Sequence, residues 1–183
     1  MFTLASVLFF AATAFIFLPL DLRDRFVSHK LFKTVFFSCL AVFIILDFFI
    51  LKTVSGIEII IGIICFILSY LFFAGAVMTG TIGAADVKIF SGLVLFFPVY
   101  PEDLILSGYS LIPAMDIFCN FMILAYPLTL LFRRLQSGRP APGLVGLVLA
   151  VLISCLFGNL LLSFFIYLID LFPSVAVYFN IFF

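Results

Sequence analysis

Apolar positions in this chain run together in long blocks. Stretches near 2–20, 34–51, 57–78, 86–100, 114–132 and 144–172 hold few polar side chains, and short polar clusters separate them. About 20 mainly apolar residues, within a range of about 17–25, carry an α-helix across a bilayer core. The pattern therefore predicts an all-α fold, a polytopic membrane bundle of six spanning helices in a single domain over 1–183. The fourth block is short and ends at Pro101-Glu102-Asp103. The segment "LILSGYSLIP" at 104–113 is too short to cross and is expected to lie at the surface or re-enter. The sixth block is long, with Gly158-Asn159 as the place for a kink, and Pro127 is expected to kink the fifth.

Composition strengthens that picture. The 183 residues are 67% hydrophobic and 10% charged, whereas a soluble domain is about half apolar and about a quarter charged. The mean hydropathy is +1.45. Folding on itself cannot hide so much apolar surface from water, so the lipid bilayer is an expected partner. Nine Lys+Arg balance nine Asp+Glu, and without a basic patch no nucleic-acid partner is expected. Cys39, Cys65, Cys119 and Cys155 stand singly in apolar runs. With no CxxC pair, neither a metal site nor a disulfide framework is expected. The opening "MFTLASVLFFAATAFIFLPL" lacks a basic start and a small-residue cleavage site, so it reads as a retained spanning helix.

The basic residues set an orientation, because cytoplasmic loops are enriched in Lys and Arg. Arg23, Arg25, Lys30, Lys33, Lys88, Arg133, Arg134 and Arg139 fall on one side, and Lys52 falls on the other. Both termini are then expected outside. Glu58, Glu102, Asp103, Asp116 and Asp170 gather near the outer ends, and Asp47 lies near the outer end of the second block. Asp47 and Asp116 read as interface residues or inter-helix hydrogen bonders before they read as a proton pathway. Three acids remain at the cytoplasmic face: Asp21, Asp24 and Asp86.

Asp21 closes the first block and Asp86 opens the fourth, so two carboxylates reach the same depth of the same face. A carboxylate near the hydrocarbon boundary is costly, and such residues are functional candidates by default. Two that meet cannot both ionise cheaply; one keeps its proton while the other acts as a base. Such a pair can activate water and protonate a scissile amide with no cofactor. Around Asp86, Gly80, Gly83, Ala84 and Ala85 would let a substrate backbone approach closely, although small residues also serve plain helix packing in membranes.

Two segments carry a resemblance. "DLRDRFVSHKL" at 21–31 and "GAADVKIFSGLVLFFPVYP" at 83–101 resemble the type IV prepilin peptidase-like family, the archaeal preflagellin and prepilin peptidases in particular. The first segment supplies Asp21, Arg23, Arg25 and Val27-Ser28; the second supplies Gly83, Ala85, Asp86 and Lys88, followed by an apolar helix and a Phe-Pro end. The resemblance implies a six-helix aspartyl endopeptidase of the cell membrane, with Asp21 and Asp86 as its catalytic pair at the cytoplasmic face. Its substrate would be a membrane-inserted, flagellin-like or pilin-like precursor with a short basic leader. Bacterial relatives commonly carry Gly-x-Gly-Asp, where this chain has Ala85. Many also carry a cysteine-paired zinc segment and methylate the new N-terminus, and the lack of CxxC here argues against that second activity.

Other residues take supporting places. Gly83, Asp24 and Lys88 are the candidate substrate-binding residues. Asp24 either attracts the basic leader or pairs with a neighbouring arginine. Lys88 reads chiefly as an anchor whose stem snorkels to the headgroups. His29, the single histidine, reads as a solvated loop residue. Two other function classes stay open: a proton-coupled transporter and a catalytically silent scaffold of filament assembly.

Overall fold

The structure, a computed structural model, describes residues 3–24, 27–78, 84–99, 108–110, 112–135 and 143–171. Among these residues there is no strand, and seven helices follow in chain order. They are α1 (Leu4–Asp24), α2 (His29–Ile50), α3 (Gly56–Met78), α4 (Ala84–Phe96), α5 (Pro113–Leu135), α6 (Gly143–Phe157) and α7 (Leu160–Leu171). Two stretches widen into π-helix, Thr13–Phe17 in α1 and Phe43–Ile50 in α2. π-Helical turns are uncommon and often accompany functional sites; the first lies one turn before Asp21.

Local chemistry explains where the helices start. The Thr3 hydroxyl accepts from the Ser6 amide at 3.0 Å and donates to the Phe96 carbonyl at 3.1 Å, which caps α1 and ties it to the end of α4. The Ser28 hydroxyl accepts from the Leu31 amide at 3.2 Å. That cap starts α2 at His29, five residues before the apolar block begins, so Lys30 and Lys33 are helical too. Before α3, Ser55 and Glu58 exchange side-chain and backbone hydrogen bonds, the reciprocal capping box that a Ser-x-x-Glu spacing allows. At the other end of α1 the helix continues past residue 20, so Asp21 lies inside it. α5 runs through Pro127 without ending.

Helices α1, α2 and the Gly56–Ala74 part of α3 are long and apolar enough to cross a membrane; α6 with α7 makes a fourth if that pair, bent by 43°, counts as one span. Helix α4, with 13 residues, is about 20 Å long and falls short of the roughly 30 Å hydrocarbon core. Phe15, Phe49, Ile57 and Phe72 stand exposed on helix surfaces, where lipid is the solvent that accepts them. The protein is thus a helical membrane protein.

Helix α4 sits at the centre, packed against α1, α3, α5 and α6. Val87 and every residue from Ile89 to Phe96 are buried. Two glycines permit the close approach. A Cβ at Gly92 would lie 2.5 Å from the Phe9 ring, and a Cβ at Gly62 would lie 2.8 Å from the Leu95 carbonyl oxygen. Phe9 is surrounded by the rings of Phe17, Phe32, Phe36 and Phe96. Much of the phenylalanine in this part of the chain therefore packs the α1–α2–α4 core.

Hydrogen bonds also identify the two ends of the bundle. At one end Asp47 is fully buried. Its carboxylate accepts from the amides of Leu4 at 2.8 Å and Ala5 at 2.9 Å and from the Thr53 hydroxyl at 3.2 Å. The carboxylate of α2 thereby satisfies backbone donors at the start of α1 that the helix itself leaves unpaired. Asp116 is buried as well and accepts from the Ser110 amide at 3.1 Å. Both acids are thus hydrogen-bonded within the protein, Asp47 to another helix and Asp116 to the segment before its own. At the α6–α7 break, Gly158 takes a left-handed φ of +69°. Asn120 of α5 donates to Ser154 Oγ at 2.8 Å and to the Gly158 carbonyl at 2.7 Å, and accepts from the Leu160 amide at 3.0 Å. The Asn159 amide donates to the Gly108 carbonyl at 2.7 Å.

Candidate active site

The opposite end of the bundle gathers the close of α1 and the starts of α2, α4 and α6. Lys88 Nζ of α4 lies 3.4 Å from His29 Nδ1 of α2, which brings these two starts together. His29 is exposed, as expected, but it is the first residue of a helix and not a loop residue. Lys88 reaches across to it.

Asp86 stands in the first turn of α4. Its carboxyl group lies against Gly143, the first residue of α6; an ideal Cβ there would be 2.6 Å from the carboxyl carbon. The amino end of a helix presents amide hydrogens and a partial positive charge, which favours an anion in that place. Beside the carboxylate is a small cavity lined by Phe73, Asp86, Val87, Phe90, Phe121 and Leu147. Its volume of about 10 Å³ is near the least that holds one water molecule.

Asp21 follows the π-helical turn of α1 and is buried, 9% exposed. Both the Thr13–Phe17 turn and the Leu18–Asp24 segment pack on α6, and so does α4. The two acid-bearing helices therefore share one support.

Asp24, by contrast, is exposed and lies 3.5 Å from Arg23 Nε. Pairing with a neighbouring arginine is thus the arrangement present. Gly80, Gly83, Arg25, Arg139 and Pro101-Glu102-Asp103 lie outside the described residues, as do both chain termini. Among the described residues, no group of three His, Cys, Asp or Glu side chains gathers as a metal site would require.

Gly143 and Asn120 are the residues that sequence reasoning missed. A signal for Gly143 does exist: "RPAPG" at 139–143 places prolines and then a glycine just ahead of an apolar run. Prolines favour a helix start, and a glycine there allows a close neighbour. No family model matches the chain, and no curated protein or solved structure matches it either.

Proposed function

We propose that the protein is an aspartyl endopeptidase of the cell membrane that removes the short basic leader of flagellin-like or pilin-like precursors. The observation that carries this reading is the placement of Asp86 against the amino end of α6 while the Asp21-bearing segment packs on the same helix. The resemblance of 21–31 and 83–101 to the prepilin peptidase-like family supports it. In this reading the chain makes six crossings, α6 with α7 counting as one and the short α4 crossing where α1, α3, α5 and α6 enclose it, with both termini outside and the acid-bearing end facing the cytoplasm. Asp21 and Asp86 activate a water and protonate the leaving amine, which needs no cofactor. General acid–base help of that kind contributes about 10²–10⁴ in rate. Gly83 lets the substrate backbone approach, while Asp24 and Lys88 lie along the path of the leader.

The test is cleavage of a panel of basic-leader precursors by the purified protein in detergent, with chelator present, beside Asp21→Asn and Asp86→Asn. Wild-type cleavage that both substitutions abolish is the expected result. Cleavage surviving either substitution refutes the dyad. No cleavage of any precursor shifts the weight to a silent scaffold.

A further inference from the structure

Along α3, α4 and the start of α5 the bundle surface is concave. A groove of about 580 Å³ runs there, lined by side chains that include Leu68, Phe72, Val94, Met115 and Phe118. Ser69 adds a hydroxyl, 3.1 Å from that of Ser91, and among the described residues no charged side chain lines the groove. Two lining residues, Phe73 and Phe90, also line the small cavity beside Asp86. Their rings meet edge to face with centroids 5.2 Å apart, so they form the wall between groove and cavity. Asp86 and Phe90 are one turn apart on the same face of α4. From that wall the groove leads toward Val94 and Ile112, away from the acid-bearing end.

We infer that this groove seats the apolar helix of the precursor beside the bond to be cut. The inference rests on the peptidase reading and specifies how its substrate is held. A precursor of that class carries its basic leader first and its apolar helix next. With the scissile bond at Asp86, the helix must run from the acid-bearing end toward the opposite end. The groove starts at the Asp86 cavity and runs in that direction, apolar along its length. Its volume is too small for a whole helix and suits the side chains of one helix face. Lipid chains wet any apolar concavity, but they have no reason to favour the one that shares its wall with a carboxylate.

The test uses the full chain in lipid vesicles with a synthetic precursor, a basic leader followed by a leucine–alanine helix. A photoreactive benzoylphenylalanine replaces Met115 in the groove or, as control, Phe15 on the exposed surface of α1. Adducts to the precursor's apolar segment from position 115 and not from position 15 are expected. Adducts to lipid alone, to a second copy of the chain, or in equal yield from both positions overturn the groove assignment. Cleavage by the unmodified protein in the same vesicles then leaves the peptidase reading standing. Adducts without any cleavage uphold the groove as a helix seat and overturn the peptidase reading. As a second arm, Ala114, which also lines the groove, is changed to Trp (Ala114→Trp) to narrow it. It should raise KM for the precursor about tenfold with kcat unchanged, the signature of lost uniform binding, while a short peptide spanning only the cut bond is cleaved as by wild type. Equal effects on both substrates overturn the assignment.

Discussion

The carboxylate of Asp86 occupies the space that a Cβ on Gly143 would need. The amino end of α6 and the start of α4 approach this closely because position 143 has no side chain. Gly143→Ala must therefore displace the carboxylate while leaving its chemistry intact. A misplacement of about 1 Å costs about 10²-fold in rate. We expect cleavage by Gly143→Ala to fall by about that factor, with a thermal melt close to that of wild type. Wild-type cleavage by this variant would count against a role for the Asp86 position.

Asp47 gives the opposite separation of effects. Its two oxygens accept three hydrogen bonds, two of them from the backbone of α1. Asp47→Asn replaces one acceptor with a donor that faces an amide hydrogen. Hydrogen bonds to charged groups contribute about 1.5–3 kcal/mol each, so the variant should lose stability on that scale. Its melting temperature in detergent should drop, while cleavage per folded molecule stays unchanged. A matching loss of specific activity would point to a catalytic role for Asp47.

Much of the fold was legible in the sequence, because continuous apolar runs between polar clusters leave helices as the natural reading. The ends of those runs were less legible. Ser28 caps α2 ahead of three polar residues, so the helix begins before its apolar part does. Asp21 and Asp86 stood out because a carboxylate in an oily chain is rare. Gly143 did not stand out, since its significance lies in a neighbour brought to it by packing far along the chain. Asn120 carries no sequence signal for the same reason: its partners, the Ser154 hydroxyl and the backbone groups of a helix break, are brought near only by the fold.

Gly62 tests the approach of α3 to α4. A Cβ there would meet the Leu95 carbonyl oxygen at 2.8 Å, a backbone atom that cannot swing aside, whereas a Cβ at Gly56 meets nothing within 4 Å. Overpacking of this kind costs about 1–3 kcal/mol. Gly62→Ala should lower the melting temperature and Gly56→Ala should leave it unchanged. Equal melts for the two variants would show that α3 shifts freely on α4.

Asn120 holds the α6–α7 break through three hydrogen bonds. Asn120→Leu leaves the Gly158 carbonyl and the Leu160 amide without that partner. Each buried group left unsatisfied costs about 1–3 kcal/mol. The variant should melt well below wild type, and amide hydrogen exchange near residues 158–162 should accelerate more than exchange in α1. Uniform exchange across both regions would refute a local role.

Asp24 is exposed and sits beside Arg23. Exposed ion pairs contribute at most about 1 kcal/mol and are screened by salt. Asp24→Asn should change cleavage of basic-leader precursors by less than about fivefold, an upper limit from that energy, and any difference should vanish at high salt. A larger, salt-resistant loss would make Asp24 a direct contact of the substrate.

The bend between α6 and α7 also sets how the end of the chain fits a bilayer. Straight, the 15 residues of α6 and the 12 of α7 would make a rod of about 40 Å at 1.5 Å per residue, longer than the roughly 30 Å hydrocarbon core. With α6 along the bilayer normal, a tilt of 43° reduces the depth covered by α7 to about 13 Å and that of the pair to about 35 Å. The Gly158 elbow thus relieves hydrophobic mismatch that tilting of the whole helix would otherwise have to absorb. In that setting α6 stays upright, and its amino end stays at the level of Asp86.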